Sequence, residues 1–359
     1  MDRDMDISVT LTKNPKQKPD AHNLPFGKIF TDHMFIMEYT DEKGWHDARI
    51  EPYGPMALDP AATVFHYAQT VFEGLKAYKA EDGRVLLFRP EMNFARMNLS
   101  AERLCMPEVP EDFGLRALDA LVKIDQDWIP TGENTSLYVR PYLMGVGAAL
   151  GVHPSSRYIF AIILAPSGPY YDEGINPVKI CIEDKLVRAV RGGTGFTKAA
   201  ANYAISLKGQ EKAEEMGFAQ VLWLDGVEHK YIDEVGAMNV FFVLNGELIT
   251  PGLNEGNILA GITRDSIIRL TKSWGMAVTE RRITAEELFK AHADGRLEEA
   301  FGSGTAAVIS PIGQFTWGDR SIIINNGEIG EISKRIYDEL TGIQYGKLPD
   351  KFNWMHEVK

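Results

Sequence analysis

The chain has 359 residues, 45% of them hydrophobic and 25% charged, which is the balance of a globular protein large enough for two domains. Its formal net charge of −12 argues against general nucleic-acid binding, because neutralising phosphates requires an excess of Lys and Arg. The two cysteines, Cys105 and Cys181, exclude a disulfide framework, and their apolar neighbours predict that both are small core residues.

The N-terminal segment, residues 1–24, is polar and mixed in charge, and it is predicted to be a poorly ordered lead-in. It has neither the apolar core of a secretory signal nor the arginine-rich pattern of a mitochondrial presequence. No run of apolar residues approaches the length that crosses a bilayer. The simplest expectation is therefore a cytoplasmic protein.

Beyond the lead-in, the pattern predicts a mixed α and β chain in two domains. A stretch rich in Pro and Gly, residues 166–177, predicts an interdomain linker. It separates a small N-terminal α/β domain, residues 1–165, from a larger C-terminal domain, residues 178–359. The elements predicted in the first domain are a strand at 84–88 entered through Asp82-Gly83, a helix from Pro90 to about Leu104, and strands at 136–140 and 158–164.

The second domain is predicted to contain a long helix that begins after Lys198 and ends near Met216, where Gly217 is typical of a helix C-cap. The other elements carry local signals: Asp-Gly and Asn-Gly turns for hairpins, and a capping box for a short helix. They are a strand at 178–182, hairpins through Asp225-Gly226 and Asn245-Gly246, and a helix that starts at Thr284 with Glu287 three residues on.

Lys198 is the most informative single residue. A run of glycines, from Gly192 to Gly195, precedes it, and a small-residue helix follows it. Because a helix N-terminus carries partial positive charge, a protonated amine is disfavoured there. A neutral lysine amine is a nucleophile that condenses with carbonyl groups. The pattern therefore predicts an enzyme that works through a Schiff base.

Three further features fit that chemistry. Glu234 stands at the end of a predicted strand, where it is a candidate for pairing with a cofactor cation; a solvated strand-end charge is the alternative. The backbone N–H groups of Ile262 and Thr263 follow Gly261 at a predicted helix start, which is a natural anion site. The turn at 302–307 is a second group of N–H donors. Each turn alone is more often only a helix start.

Two other kinds of site are disfavoured. The glycine run before Lys198 has some likeness to a phosphate loop, but Thr197 stands where that motif requires glycine, and Ala199 where it requires Ser or Thr. The eight histidines are scattered along the chain, and no pair has the helical spacing of metal ligands. The sequence therefore predicts neither nucleotide binding through such a loop nor a metal site.

Taken together, the motifs resemble those of the branched-chain amino acid aminotransferases, which are pyridoxal 5'-phosphate enzymes of fold type IV. The resemblance implies an α+β fold with two domains joined by an interdomain loop. It also implies reversible transfer of an amino group between Leu, Ile or Val and 2-oxoglutarate. The motifs that carry it are Phe26-Gly27, Phe72-Glu73-Gly74, Tyr138-Val139-Arg140, Gly192 through Lys198 to Tyr203, Gln220 to Leu224, Glu234-Val235-Gly236 and Gly302 to Thr305.

The resemblance implies a cofactor role for each matching residue. Lys198 would hold pyridoxal phosphate as a Schiff base and then move a proton as the catalytic base. Glu234 would face the pyridine nitrogen and keep it protonated, which makes the ring an electron sink. Tyr203 would hydrogen-bond the cofactor oxygen. The residues implied at the phosphate are Arg96, Arg188, Ile262, Thr263 and Thr305.

The resemblance also implies a substrate pocket and a homodimer. Arg140 lies two residues beyond Tyr138 on the same strand face, and would receive the distal carboxylate of glutamate. Ala306 and Ala307 would receive the α-carboxylate. Tyr67 and the loop of Leu150 and Val152 would reach the site of a partner subunit. The aromatic residues implied to hold the branched side chain are Phe26, Tyr67, Phe72 and Tyr138, each of which is plain core if the resemblance is set aside.

Two alternatives keep the fold and change the reaction, namely a D-amino acid aminotransferase and an aminodeoxychorismate lyase. The sequence Tyr138-Val139-Arg140 and the apolar pocket argue against both. A relative without catalysis, acting as a scaffold, is disfavoured because Lys198, Glu234 and Arg96 are all present. No nucleic-acid or membrane partner is expected.

Overall fold

The computed structural model of the protein describes residues 5–21, 24–132, 134–168 and 175–359. Its strands are β1 (Ser8–Val9), β2 (His33–Thr40), β3 (Gly44–Pro52), β4 (Thr70–Phe72), β5 (Leu75–Lys79), β6 (Val85–Phe88), β7 (Ser136–Gly145), β8 (Arg157–Ser167), β9 (Val178–Glu183), β10 (Gln220–Leu224), β11 (Ile232–Val235), β12 (Asn239–Leu244), β13 (Glu247–Thr250), β14 (Val278–Glu280), β15 (Leu297–Gly304), β16 (Val308–Trp317), β17 (Arg320–Ile323) and β18 (Met355–Glu357). Its helices are α1 (Thr63–Tyr67), α2 (Pro90–Arg103), α3 (Glu111–Ile124), α4 (Ala200–Ala204), α5 (Leu207–Glu215), α6 (Ile262–Ser273), α7 (Ala285–Ala293) and α8 (Glu331–Gln344).

The described chain divides into two compact units. The first comprises the described parts of residues 1–170, 197–200 and 342–359, and the second those of 171–196 and 201–341. The last segment thus groups with the first unit, whereas the predicted C-terminal domain ran to residue 359. The reason is that β18 pairs with β6, through Met355 and Phe88 among others. Residues 169–174 of the predicted linker lie outside the described residues, so the linker stays a prediction.

The first unit is built on one mixed sheet with the strand order β1-β3-β2-β8-β7-β5-β6-β18, and β4 pairs with β7. The side chains along each strand alternate between the two faces of the sheet. One face carries Phe35, Phe160 and Leu164, which are fully buried, and forms a core with α2 and α3. The opposite face carries Tyr138 and Arg140 of β7. This placement confirms that the two residues share one strand face.

The second unit contains another sheet, with the order β11-β10-β9-β16-β15-β12-β13-β14 and β17 paired to β16. Every residue of β12 is buried, as expected for a strand covered on both faces. The stacked rings of Phe241 and Phe301 lie 5.2 Å apart across β12 and β15. The mixed sheets and helices confirm the predicted α+β class.

Both predicted hairpins pair as antiparallel strands, β10 with β11 and β12 with β13, and the one through Asn245-Gly246 also has the predicted two-residue turn. Both residues adopt positive φ, 50° and 72°, which is the geometry that a two-residue turn between right-twisted strands needs. The two-residue turn at Asp225-Gly226 is wrong. The Asp225 carboxylate accepts N–H groups from four residues of the following loop, so β11 begins only at Ile232. The donors are Val227, Glu228, Lys230 and Tyr231.

The single helix predicted after Lys198 is in fact two short helices, α4 and α5. Ser206 donates its N–H and its hydroxyl to the carbonyl of Tyr203, at 3.2 and 2.7 Å, and the helix restarts at Leu207. Gly217, with φ of 81°, ends α5 as predicted. One of the two hydrogen bonds of the predicted capping box is confirmed: the Thr284 hydroxyl accepts the N–H of Glu287 at 2.9 Å.

Two expectations about the first unit are wrong. Residues 5–21 of the predicted lead-in are placed against the sheet: β1 pairs with β3, and His33 accepts the N–H of Thr12 at 2.9 Å. Cys105 is exposed rather than buried in the core, because it lies in the left-handed turn that ends α2. Within the described ranges, no helix has both the length and the apolarity needed to cross a bilayer.

Candidate active site

The main chain of Lys198 is held on both sides within the first unit. Its N–H donates to the Ser100 hydroxyl at 2.9 Å, and its carbonyl accepts the N–H of Phe72 at 3.1 Å. The next residue, Ala199, forms an isolated bridge with Val71. The Lys198 Nζ lies 5.0 Å from the centre of the Phe72 ring. The loop therefore fixes the peptide group while the amine projects over an aromatic face.

A buried ion pair lies beside this lysine. The Nε and Nη2 of Arg96, on α2, donate to the two oxygens of Glu73 at 2.8 Å each, and the Asn93 amide adds a third donor at 2.7 Å. Burial alone would raise the pKa of Glu73, but the charge and hydrogen bonds of Arg96 outweigh it, and the charge of Lys198 adds to them. The carboxyl pKa is lowered, so Glu73 is an anion that orients Arg96.

Tyr138 and Arg140 form a cluster in the first unit with the phenyl rings of Phe26 and Phe72. The Arg140 Nη2 donates to the Tyr138 hydroxyl at 3.1 Å, and the guanidinium lies 4.7 Å from the Phe72 ring centre. The Phe26 ring meets Tyr138 edge to face at 4.9 Å. The Nε of Arg140 is buried and has no hydrogen-bond partner among the described residues. The structure thus brings together three predicted aromatic residues and the predicted carboxylate receptor, next to Lys198.

A separate exposed patch of the first unit contains the residues predicted to reach a partner subunit. The Tyr67 hydroxyl, at the end of α1, donates to the carbonyl of Leu150. Leu150 and Val152 are 71% and 84% exposed, and Tyr67 is 39% exposed. Apolar side chains this exposed, on neighbouring loops, are typical of an interaction surface.

Glu234 is buried on β11 in the second unit, where two donors hold one of its oxygens. Its Oε1 accepts the N–H of Leu259 at 2.8 Å and lies 3.2 Å from the Nη2 of Arg188. Both side chains are buried, so little solvent screens the pair. An arginine and a main-chain donor favour the charged form of a carboxylate. In the structure Arg188 therefore forms an ion pair with Glu234. The contact of Arg188 with the cofactor phosphate, which the family resemblance implies, stays a prediction.

The residue before Glu234 is a second buried acid with a different environment. Both oxygens of Asp233 accept from the Asn257 amide at 2.8 Å. Burial raises the pKa of Asp233 to about 7; the charge of Arg188 acts in the opposite direction, and Glu234 and Asp225 add to the rise. Two consecutive buried acids of β11 thus have different hydrogen-bond partners, the Asn257 amide for Asp233 and the Leu259 N–H for Glu234.

The raised pKa of Asp233 predicts a pH dependence of folding. The carboxyl titrates near pH 3.8 in the unfolded chain and near 7 in the folded one, so the folded state binds the proton more tightly. Protonation of Asp233 therefore stabilises the folded protein at low pH, and this stabilisation is lost as the pH rises from about 4 to about 7. We expect Asp233→Asn to gain stability relative to the parent protein over that range, measured by urea unfolding at several pH values. A constant difference across the range would contradict the assignment.

The α6 start in the second unit has the donors that an anionic group requires. Gly261 is the N-cap in an extended conformation, and no described side chain caps the N–H groups of Ile262 and Thr263. Two buried donors in this unit, the Arg188 Nε and the Ser303 hydroxyl, have no partner among the described residues. Thr305, Ala306 and Ala307 form the turn between β15 and β16. Main-chain and side-chain donors of this kind fit a phosphate ester.

Comparison with known proteins gives a consistent result. A sequence description of the family "Amino-transferase class IV" matches residues 70–315. Branched-chain-amino-acid aminotransferase 2 of Bacillus subtilis (strain 168) is 59% identical over 352 residues, covering 98% of this chain and 97% of the relative. A probable branched-chain-amino-acid aminotransferase of Staphylococcus aureus (strain N315) is 56% identical over 349 residues, covering 97% of each chain.

The chain belongs to the class IV aminotransferases. The crystal structure of Escherichia coli branched-chain amino acid aminotransferase matches with a TM-score of 0.76 and 26% identity, covering 91% of this chain and 99% of that one. The fold of this class IV aminotransferase is therefore fold type IV, as predicted. No cluster of His, Cys, Asp and Glu suited to a metal ion occurs in the described part of the aminotransferase.

The structure adds residues to the site that the sequence analysis did not single out. Glu73 and Ser100 contact Arg96 and Lys198 in the first unit. In the second, Leu259 contacts Glu234 itself and Asn257 contacts its neighbour Asp233. Glu73 lies inside a motif of the family resemblance, so its position was a usable signal. Leu259 acts through its main chain, which no residue pattern reveals. Tyr203, on α4, is half-buried, and its contact with cofactor stays a prediction.

Proposed function

We propose that this class IV aminotransferase uses pyridoxal 5'-phosphate to exchange the amino group between branched-chain L-amino acids and 2-oxoglutarate. The observation that carries the substrate class is the 59% identity to the B. subtilis branched-chain enzyme over almost the whole chain. Turnover of Leu, Ile and Val with 2-oxoglutarate as the acceptor tests it. No turnover of any of the three, with turnover of another amino acid, would overturn the substrate assignment.

The residues of the second unit would hold the cofactor by its charged ends. The N–H groups of Ile262 and Thr263, with Thr305 and Arg188, would bind the phosphate. Glu234 would pair with the pyridine nitrogen, and the buried Arg188 and the Leu259 N–H support this by keeping its carboxylate charged. The bound ring withdraws electrons from the substrate Cα, which is the chemistry that the protein side chains lack.

The first unit would supply the proton transfer. The Nζ of Lys198 would hold the cofactor in the resting enzyme. Once the amine of the substrate has displaced the lysine amine, the freed Nζ would remove the proton of the substrate Cα and return it. The fixed peptide group of Lys198 supports this role, because only its side chain has to move. Arg96, oriented by Glu73, would add positive charge for the phosphate, and Tyr203 would donate to the cofactor oxygen.

Substrate selection would depend on an apolar pocket with one cation at its wall. Phe26, Phe72 and Tyr138 offer ring faces to an aliphatic side chain, and Arg140 offers the same pocket a guanidinium for the distal carboxylate of glutamate. The buried Nε of Arg140, which has no partner among the described residues, supports this. Ala306 and Ala307 would receive the α-carboxylate common to both substrates.

Replacing Arg140 should separate the two half-reactions. We expect Arg140→Met to raise the KM for 2-oxoglutarate by about tenfold to a hundredfold, because a hydrogen bond to a charged group contributes about 1.5–3 kcal/mol. The KM for leucine should change by less than about threefold, since an aliphatic side chain gains nothing from the cation. Steady-state kinetics of the complete reaction, with leucine and 2-oxoglutarate varied in turn, gives both values. Arg157→Met, at a side chain 59% exposed, is the matched control, and equal loss for both substrates would contradict the role.

We further infer a homodimer and a cytoplasmic location. The exposed apolar side chains of Leu150 and Val152, next to Tyr67, support an interface with a second copy of the chain. A D-amino acid aminotransferase and an aminodeoxychorismate lyase remain the alternatives within the fold. Comparing the turnover of L-leucine, D-alanine and aminodeoxychorismate separates them, since only the proposed function expects L-leucine to be turned over fastest.

A further inference from the structure

The segment from Asn257 to Gly261, just before α6, supplies the main-chain donor to Glu234. The Leu259 N–H donates to the Glu234 Oε1 at 2.8 Å, and the Leu259 carbonyl accepts from the Asn239 amide at 2.9 Å. A Cβ added at Gly261 would collide with the Asn239 side chain, so glycine is needed for this close approach. Asn239 thus fixes the second half of the segment.

The first half of the segment is fixed by Asn257, which is buried. Its side-chain amide donates to both oxygens of Asp233 at 2.8 Å, and its carbonyl accepts from the Arg188 Nη2. The same Nη2 lies 3.2 Å from the Oε1 of Glu234. One asparagine therefore contacts both the strand neighbour of Glu234 and the arginine that pairs with it.

The geometry points to Asn257 as a positioning residue that fixes the Glu234 carboxylate through the Leu259 N–H and Arg188. This inference rests on the proposed function, in which Glu234 pairs with the pyridine nitrogen. Asp233 and Glu234 are consecutive on β11, at the irregularity in its pairing with β10 between Leu224–Ile232 and Leu222–Val235. The Asn257–Asp233 contact therefore ties the segment to the strand that carries Glu234, one residue before the acid. The distance between the Leu259 N–H and its acceptor is set by that attachment.

A second contact shows how little room the Asn257 main chain has. A Cβ added at Gly195 would collide with the Asn257 carbonyl and with Ala189. The carbonyl is thus enclosed between the loop of Gly195 and the guanidinium of Arg188. Loss of the side-chain attachment would let this carbonyl shift, and Arg188 would lose one of the two acceptors that its Nη2 now contacts.

The test compares four variants as holoenzymes. Asn257→Ala removes the attachment to Asp233. Asn254→Ala, at an exposed position three residues earlier, is the matched control. Asn257→Asp places two carboxyl groups together, and the exchanged pair Asn257→Asp with Asp233→Asn restores one donor and one acceptor with the original net charge. Because the exchanged pair keeps the contact, it remains informative if Asn257→Ala folds poorly.

Four measurements are expected to agree. In Asn257→Ala the amide exchange of residues 257–261 should become at least about tenfold faster, and kcat should fall by about tenfold to thirtyfold with KM within about twofold. The pyridoxal phosphate dissociation constant should rise by about tenfold, and the pH dependence of the absorbance of bound cofactor should shift. The exchanged pair should recover to within about threefold of the parent enzyme, while Asn257→Asp alone should not.

Two outcomes would overturn the inference. One is that Asn257→Ala matches Asn254→Ala in segment exchange, kcat and absorbance profile. The other is that Asn257→Ala only lowers thermal stability, with kcat per folded enzyme unchanged, which would make the contact purely structural. Glu234→Gln separates this failure from failure of the proposed function. An inactive Glu234→Gln beside a normal Asn257→Ala overturns the inference alone, whereas a fully active Glu234→Gln overturns the role of Glu234 and the inference with it.

Discussion

Lys198→Ala is expected to lower the rate of transamination by at least about 10³-fold, because one side chain supplies both the nucleophile and the proton carrier. The fold should survive the change. The peptide group of residue 198 keeps its contacts with Ser100 and Phe72, since these involve only main-chain atoms of the lysine. Single-turnover rates with leucine, together with circular dichroism of the variant, measure the two halves of this expectation.

The control for this prediction is Lys208→Ala, which removes an exposed lysine from α5. Its rate should stay within about twofold of the parent enzyme, as is usual for an exposed position. Borohydride reduction followed by peptide mapping adds a direct readout, because the pyridoxyl group should appear on the peptide that contains Lys198. A pyridoxyl group on a different lysine, or full turnover by Lys198→Ala, would show that another residue is the base.

Glu234→Gln is expected to lower kcat by about 10²–10³-fold with a small change in KM. The amide keeps the shape of the side chain but loses the charge that would hold the pyridine nitrogen protonated, and such electrostatic support is realised mainly in the transition state. The variant also leaves Arg188 buried beside a neutral partner, and removing one member of a buried ion pair costs about 3–5 kcal/mol of stability. Stopped-flow kinetics and thermal unfolding measure the two effects.

The two effects of Glu234→Gln can be told apart with a second substitution. Glu234→Gln combined with Arg188→Gln removes both charges, so the stability lost through the unpaired arginine should be recovered in part. The rate should not recover, because the charge at the pyridine nitrogen is still absent. Glu211→Gln, at an exposed acid of α5, is the matched control. Recovery of the rate in the double variant would mean that Glu234 acts only by neutralising Arg188.

Short-range structure could be predicted well from the sequence. The Asn245-Gly246 hairpin, the Gly217 helix end and the Thr284 cap depend on contacts within a few residues, so the local residues determine them. The placement of Tyr138 and Arg140 on one face follows from the period of a strand. Asp225 shows the limit of this reasoning: an Asp-Gly pair permits a tight turn, but its carboxylate binds the loop N–H groups instead.

The parts of the site that the sequence did not reveal depend on contacts between distant positions. Glu73 and Arg96 are 23 positions apart, and Asp233 and Asn257 are 24 apart. Each pair consists of common polar residues without a distinctive spacing. The Leu259 contact is harder still, because its donor is a main-chain N–H that every residue except proline carries. A resemblance to a family supplies roles for the ligand-contacting residues, but not for those that support them.

The two-sided attachment of residue 198 makes this position suitable for chemical replacement. Since the hydrogen bonds from Ser100 and Phe72 reach only main-chain atoms of residue 198, they do not depend on the length of its side chain. With the exposed Cys105 replaced by serine, a cysteine introduced at 198 and alkylated with a bromoethylamine would carry an amine on a thioether arm slightly longer than the natural one. Such semisynthetic lysine analogues allow the basicity of the catalytic nitrogen to be varied while the scaffold stays constant.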